Sequence, residues 1–188
     1  MDTTYFTLYL NAVEEAIGKL PLLQLTQAAR MLKNAANFNQ RVWLVGNGGS
    51  AATAMHFAGD LQKVIGVDAL ALPCFTSTIT AYGNDDGWTK MFSLAMKAFN
   101  IGNILVAISY SGASQNVIEA AKHALERDGK LIILTGPAWE GNILSCMPGI
   151  IIPVENDDIR VVEDVHLAVC HSIIGAIHAV QGLHQALS

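Results

Sequence analysis

Two stretches of the chain have the make-up of loops that hold an anion without any cationic side chain. The first is Gly46-Asn47-Gly48-Gly49-Ser50, which runs from the apolar segment Arg41 to Val45 into a helical pattern that starts at Ala51 and reaches about Ile65. Glycines there allow a tight strand-to-helix turn, so several backbone N–H groups can point at one spot. The second is Ser109-Tyr110-Ser111-Gly112-Ala113-Ser114, again between an apolar run and a helical segment, Gln115 to about Arg127. Its four hydroxyls surround a glycine, and Ser114 stands where a helix N-cap belongs, at the positive end of the dipole. A phosphate monoester fits such a pair of loops, held by amides and hydroxyls alone and therefore with modest affinity. A tight structural turn and a serine-rich turn with an ordinary cap would be spelled the same way, so both readings stay open on the letters alone.

The spelling Gly46-x-Gly48-x-x-Ala51 also matches a dinucleotide fingerprint, which calls for an acidic residue at the end of the next strand, about 20 residues on. Here that strand ends Leu72-Pro73-Cys74, and the nearby acid, Asp68, precedes it and falls at the wrong end. No nucleotide cofactor is expected.

The elements that must position these loops follow from periodicity. From Thr3 to about Asn37, apolar residues recur at helical spacing with a break at Pro21, which predicts two helices in residues 1–40, suited to packing against other copies. Short apolar runs at Arg41 to Val45, Ala69 to Pro73, Ile104 to Ser109, Leu131 to Thr135 and Ile150 to Pro153 then alternate with helix-like segments. Strand then helix, repeated five times, predicts one α/β domain over residues 1–188: a five-stranded parallel sheet with helices on both faces, a three-layer α/β/α sandwich. A long apolar helix, Ile159 to Leu187, closes the chain, and its small residues Gly175, Ala176 and Ala179 would admit another helix closely. In an open parallel sheet, ligands sit at the carboxyl ends of the strands where strand order reverses, which narrows the search to the loops after Val45 and Ile108.

Composition excludes several classes. Of 188 residues, 52% are apolar and 14% charged, too apolar for disorder, yet no uninterrupted run reaches the ~18 apolar residues of a bilayer span. The start, Met1-Asp2-Thr3-Thr4, lacks the positive region of a secretory signal, so a cytoplasmic location is expected. Apolar surface in such excess favours a homo-oligomer. With 11 basic against 16 acidic residues, a net charge of −5 and no basic cluster, nucleic acid is not an expected partner. Cys74, Cys146 and Cys170 show no Cys-x-x-Cys spacing, and are read as reduced, mostly packed thiols.

The two loops, together with Ala54-Met55-His56-Phe57-Ala58 and Gly83-Asn84-Asp85, resemble a sugar isomerase (SIS) domain, specifically the phosphoheptose isomerase group. The likeness runs from about Arg41 to His171. It implies a homotetramer that interconverts sedoheptulose 7-phosphate with D-glycero-D-manno-heptose 7-phosphate, an early step towards the heptose of bacterial lipopolysaccharide, and some members carry zinc. The family's substrate-binding positions fall on Asn47, Gly48, Gly49, Asn84 and Asp85, with Ser50 in the same first loop. Its phosphate-holding loop falls on Ser109, Tyr110, Ser111 and Ser114. Relatives usually read Ser-Thr-Ser-Gly-Asn-Ser there, so Tyr110 and Ala113 are departures.

By the same resemblance the metal and acid/base positions fall on His56, Asp60, Glu163 and His171, with Asp60 as base, His171 as acid and Glu163 also facing the substrate. Asp60 stands where the family has glutamate and Glu163 where it has glutamine. Shortening the acid by one methylene withdraws a carboxylate by about 1.5 Å, and a misplacement of ~1 Å can cost on the order of a hundredfold in rate. His56 and Asp60, four apart, share one helix face. Glu163 and His171 are eight apart, ~12 Å of rise along a continuous helix, so both reach one ion only if their side chains lean together. Nitrogen and oxygen donors of this kind suit zinc or another divalent first-row ion. The pair Glu163-x-x-His166 has a helical di-metal spacing but lacks a second half. His123, His178 and His184 are read as ordinary histidines, and Trp43, Trp88 and Trp139 as packing, with Trp88 nearest to a sugar platform. A second reading is a non-catalytic SIS-domain sugar-phosphate sensor or interaction module, of the kind that associates with a replication initiator.

Overall fold

The structure is a computed structural model that describes residues 3–186, with side chains described to residue 180; Leu187 and the side chain of His184 lie outside this range. Two helices open the chain, α1 (Thr4–Gly18) and α2 (Leu22–Asn37), and Pro21 stands at the N-cap of the second. A proline's missing N–H removes no bond at a helix start, so the break falls there. Then come β1 (Val42–Val45), α3 (Gly48–Asp60), β2 (Ala69–Ala71), α4 (Thr76–Asp85), α5 (Met91–Ala95), β3 (Ile104–Ser109), α6 (Gln115–Leu125), β4 (Lys130–Thr135), β5 (Ile150–Pro153) and α7 (Ile159–Ala186).

All five strands pair in parallel in the order β2-β1-β3-β4-β5. Alternate strand residues feed two cores. Leu44, Val106, Ile108 and Leu134 meet Leu32 of α2, Phe57 of α3 and Val169, Ile173 and Ile177 of α7 on one face. Trp43, Leu105, Ala107 and Ile133 meet Phe92 of α5 and Val117, Ile118 and Ala121 of α6 on the other. A sheet covered on both faces explains why β1 and β3 are apolar without alternation, every residue being buried. Full burial of Phe57 or Phe92 is worth about 1.5–3 kcal/mol each.

The sequence boundaries need three corrections. The second strand stops at Ala71, and Leu72–Cys74 forms a 3-10 turn, because Pro73 cannot donate to the ladder. The helix after the first loop starts at Gly48, three residues before the apolar pattern, since the Ala51 N–H already donates to Asn47 O. It ends at Asp60, where Leu61–Ile65 widens into a π-turn. Two cysteines also differ from the reading: Cys74 and Cys146 are exposed, and Cys170 alone is packed.

Helix α7 is long and apolar enough over Ile159–Val180 to span a bilayer by length and mean hydropathy, but half of its 18-residue apolar window is buried inside the fold, as in a core helix. The first helix docks on its start through Ala16, Val161, Val162 and Val165. Tyr9 adds a 2.6 Å bond to Asp164, and the phenol, donating to that carboxylate, has its pKa pushed up to about 12.

Candidate active site

Strand order reverses between β1 and β3, so the two loops singled out in the sequence lie side by side at the carboxyl end of the sheet. Between them and the start of α7 is a cleft of about 240 Å³ lined by Asn47, Ser50, Ser109, Tyr110, Ser111, Ser114, Ile159 and Glu163. The lining holds no lysine or arginine. Its one charged side chain is the Glu163 carboxylate, and the nearest guanidinium on α7, Arg160, is tied to Asp158 at 2.7 and 2.9 Å.

Hydrogen bonds shape the serine loop. Ser109 and Ser114 hydroxyls pair at 3.2 Å, and the Ser111 hydroxyl accepts from the Ala113 N–H at 3.2 Å. Ser114 occupies the N-cap of α6 but does not cap it with its side chain, contrary to the sequence reading. Tyr110 hydroxyl donates to Asp157 O at 2.7 Å, so this departure straps the serine loop to the segment before α7; the residue lines the cleft while its hydroxyl is engaged. Trp139 Nε1 donates to Ser111 O at 3.0 Å, which holds the loop from its other side.

Asn47 pairs with Asn116 in a reciprocal amide–amide contact, 2.9 and 2.8 Å, that joins the two loops. Sequence reasoning missed Asn116, since a helical asparagine carries no signal of a partner 69 residues away. On the far side of Asn47 a second hollow of about 190 Å³ is lined by Gly46, Gly48, Thr80, Phe92 and the 60% exposed Trp88. Asn84 and Asp85 end α4 and are exposed; Asn84 donates to Asp85 at 2.7 Å, and neither lines the serine cleft.

Helices α3 and α7 both leave the carboxyl end of the sheet and run side by side. At their start, a Cβ on Gly49 would collide with the Glu163 carboxylate. Two turns further on, His56 and His171 meet with Nε2 atoms 3.1 Å apart, and Asp60 Oδ2 lies 3.3 Å from His56 and 3.9 Å from His171. These three ligand atoms lie within 4.8 Å of one another and could hold a metal ion; both imidazoles are about half exposed. Glu163 lies outside this three-residue cluster within the single chain. The continuity of α7 accounts for the separation: eight residues of unbroken helix give ~12 Å of rise between Glu163 and His171.

His166 faces the opposite way, buried, with its Nε2 donating to Thr135 O at 3.2 Å and Nδ1 without a partner. Burial pushes its pKa down to about 4 from the ordinary 6.5. Because the folded protein keeps this imidazole neutral, its contribution to stability is complete above about pH 6.5 and is lost as pH falls towards 4, roughly 3 kcal/mol in all. Urea unfolding between pH 7 and 4.5 is expected to show this decline, and His166→Leu to flatten it; an equally steep decline in the variant would exclude His166 as its source.

A family model described as the SIS domain matches residues 5–136. A phosphoheptose isomerase from Neisseria meningitidis is 35% identical over 184 residues, covering 94% of this chain and 92% of the relative. One from Shewanella pealeana is 37% identical over 176 residues, covering 87% and 82%. The solved structure of phosphoheptose isomerase GmhA from Neisseria gonorrhoeae superimposes with a TM-score of 0.84 at 33% identity, covering 94% of this chain and 96% of that one. The chain belongs to the SIS-domain family, within its phosphoheptose isomerase group.

Proposed function

We propose that the protein is an aldose–ketose phosphate isomerase that interconverts sedoheptulose 7-phosphate and D-glycero-D-manno-heptose 7-phosphate. The carrying observation is the spacing along α3 and α7 between the serine cleft and the His56–Asp60–His171 cluster, seven residues from Gly49 to His56 and eight from Glu163 to His171. That is ~10–12 Å of helix rise, against roughly 10 Å from phosphorus to C1 in an extended heptose 7-phosphate with ~1.5 Å bonds. A phosphate in the cleft therefore leaves the carbonyl end at the cluster.

In this reading Asp60 takes a proton from C1 of the ketose, and the C2 oxygen receives one from His171, leaving an enediol. The Asp60 proton then goes to C2 while O1 returns its proton to His171, and C1 becomes the aldehyde. His56 Nε2, 3.1 Å from His171 Nε2, couples the tautomers of the two rings. Two imidazole nitrogens and a carboxylate oxygen, with solvent on one side, fit zinc or a similar ion held by His56, Asp60 and His171, which when bound supplies polarisation of the carbonyl oxygen.

Self-association, as a tetramer, is supported by the apolar side chains that α1 and α2 leave exposed, among them Tyr5, Phe6, Leu8, Leu10, Leu22 and Leu23. It is supported too by a groove of about 690 Å³ between α2 and α7 that includes Leu25, Ile173 and Ile177. A cytoplasmic site of action agrees with a sugar-phosphate substrate.

The test is NMR of pure protein with sedoheptulose 7-phosphate, with light scattering and elemental analysis of the same preparation made without added metal. Turnover, a tetrameric mass and near-stoichiometric zinc are expected. Absence of turnover with undiminished thermal stabilisation by the sugar phosphate would replace the isomerase reading with that of a sensor; a monomer would overturn self-association.

A further inference from the structure

Helices α3 and α6 both begin at the serine cleft, and both have at the N-cap a residue type that normally caps its own helix: Asn47 for α3 and Ser114 for α6. Neither does so. The Asn47 amide is engaged in both directions by Asn116, and the Ser114 hydroxyl by Ser109. Among the described residues, the N–H groups of Gly48, Gly49 and Ser50 in α3 and of Gln115 in α6 consequently donate to nothing in the protein. Ser50 lines the cleft, while Gly48 and Gly49 are exposed beside it, Gly48 on the second hollow and Gly49 against the Glu163 carboxylate. Asn116 itself is fully buried, and its Oδ1 also accepts from the Val117 N–H at 3.0 Å, so the group that holds Asn47 is itself held.

We propose that Asn116 is a positioning residue for phosphate binding: it draws the Asn47 side chain off its own helix and so keeps the first-turn amides of α3 open for the ester oxygens. Without Asn116, Asn47 rotates to the usual capping position and its oxygen takes the N–H of Gly49 or Ser50. The anion then competes with a side chain attached to the site. The cleft lining has no lysine or arginine and includes the Glu163 carboxylate, so positive potential there comes from the helix start that ends in the Ser50 amide, and capping it weakens phosphate directly. The inference rests on the reading of this cleft as the phosphate site, but not on any particular sugar or on turnover.

The experiment uses the full chain and inorganic phosphate as probe, titrated by calorimetry against the parent, Asn116→Ala, Asn47→Gly and the double variant. Asn116→Leu, which fills the same volume, serves as a second form at that position. Either Asn116 variant alone is expected to weaken phosphate about tenfold or more. The double variant is expected to recover at least about threefold over Asn116→Ala, because glycine cannot cap with a side chain. A merely structural role for Asn116 gives no such recovery. An Asn116 variant that binds phosphate like the parent, or a double variant as weak as Asn116→Ala or weaker, overturns the proposal. Heptose isomerisation measured alongside separates the two readings, since phosphate binding with this pattern can hold in a protein that does not turn the sugar over.

Discussion

Asp60→Asn is expected to lower kcat for heptose 7-phosphate isomerisation by at least about a thousandfold, and His171→Ala by a hundredfold to ten-thousandfold, the range typical of general acid–base groups. The amide is isosteric with the carboxylate, but it cannot take a proton from carbon. Because Asp60 is partly exposed and its partners are the two imidazoles, neither change should disturb the core, and melting temperatures should stay near the parent's. A more discriminating variant is Asp60→Glu, which restores the length usual in the family. Asp60 Oδ2 already reaches His56 at 3.3 Å and His171 at 3.9 Å, so the shorter acid leaves no gap for a longer one to fill. Lengthening it drives the carboxylate past the imidazoles, and a loss of about tenfold is expected rather than a gain. Retention of activity by Asp60→Asn in steady-state assays would remove Asp60 from the chemistry.

Gly112→Ala is expected to be the most damaging single change in the serine loop. Gly112 has φ of +61°, a conformation that strains any other residue by about 1–2 kcal/mol. An added Cβ would also run into the side chain of Asn142. That residue is buried and ties the end of β4 to the turn that holds Ser145, donating to Thr135 Oγ1 and Pro137 O at 3.0 Å and accepting from the Ser145 N–H at 3.1 Å. Displacing it strands buried polar groups, at about 1–3 kcal/mol. The expected total is roughly 3 kcal/mol, which for a chain of this size lowers Tm by about 6–12 °C. Ser109, Ser111 and Ser114 move with the loop, so KM for the sugar phosphate should rise in parallel. A variant that melts within a degree or two of the parent would show that the loop accommodates a side chain there.

Much of this site can be read from the chain itself. Five apolar runs separated by helical patterns specify a parallel sheet, and their ends are right to within a residue or two, because a strand buried on both faces is apolar along nearly its whole length. Glycine and serine clusters at two strand ends mark the anion loops for the same local reason: only such residues turn tightly and offer hydroxyls or bare amides. The resemblance carried by those loops places His56 and His171 at a common site, and the fold does bring them together.

Other features depend on partners remote in the chain. Glu163 and His171 share a helix, yet one lines the serine cleft and the other meets His56 and Asp60, because the rise of an α-helix separates them. Asn116 has no mark of its role, since the amide it holds belongs to another strand's loop. Tyr110 reads only as a departure from the family's loop, and packing alone shows its hydroxyl fastening the segment ahead of α7. Local pattern and backbone chemistry determined the α/β architecture and where an anion could sit. Which side chains cap, strap, pair or stand free was decided by tertiary structure, because hydrogen bonds are short and directional and their partners are chosen by distance in space.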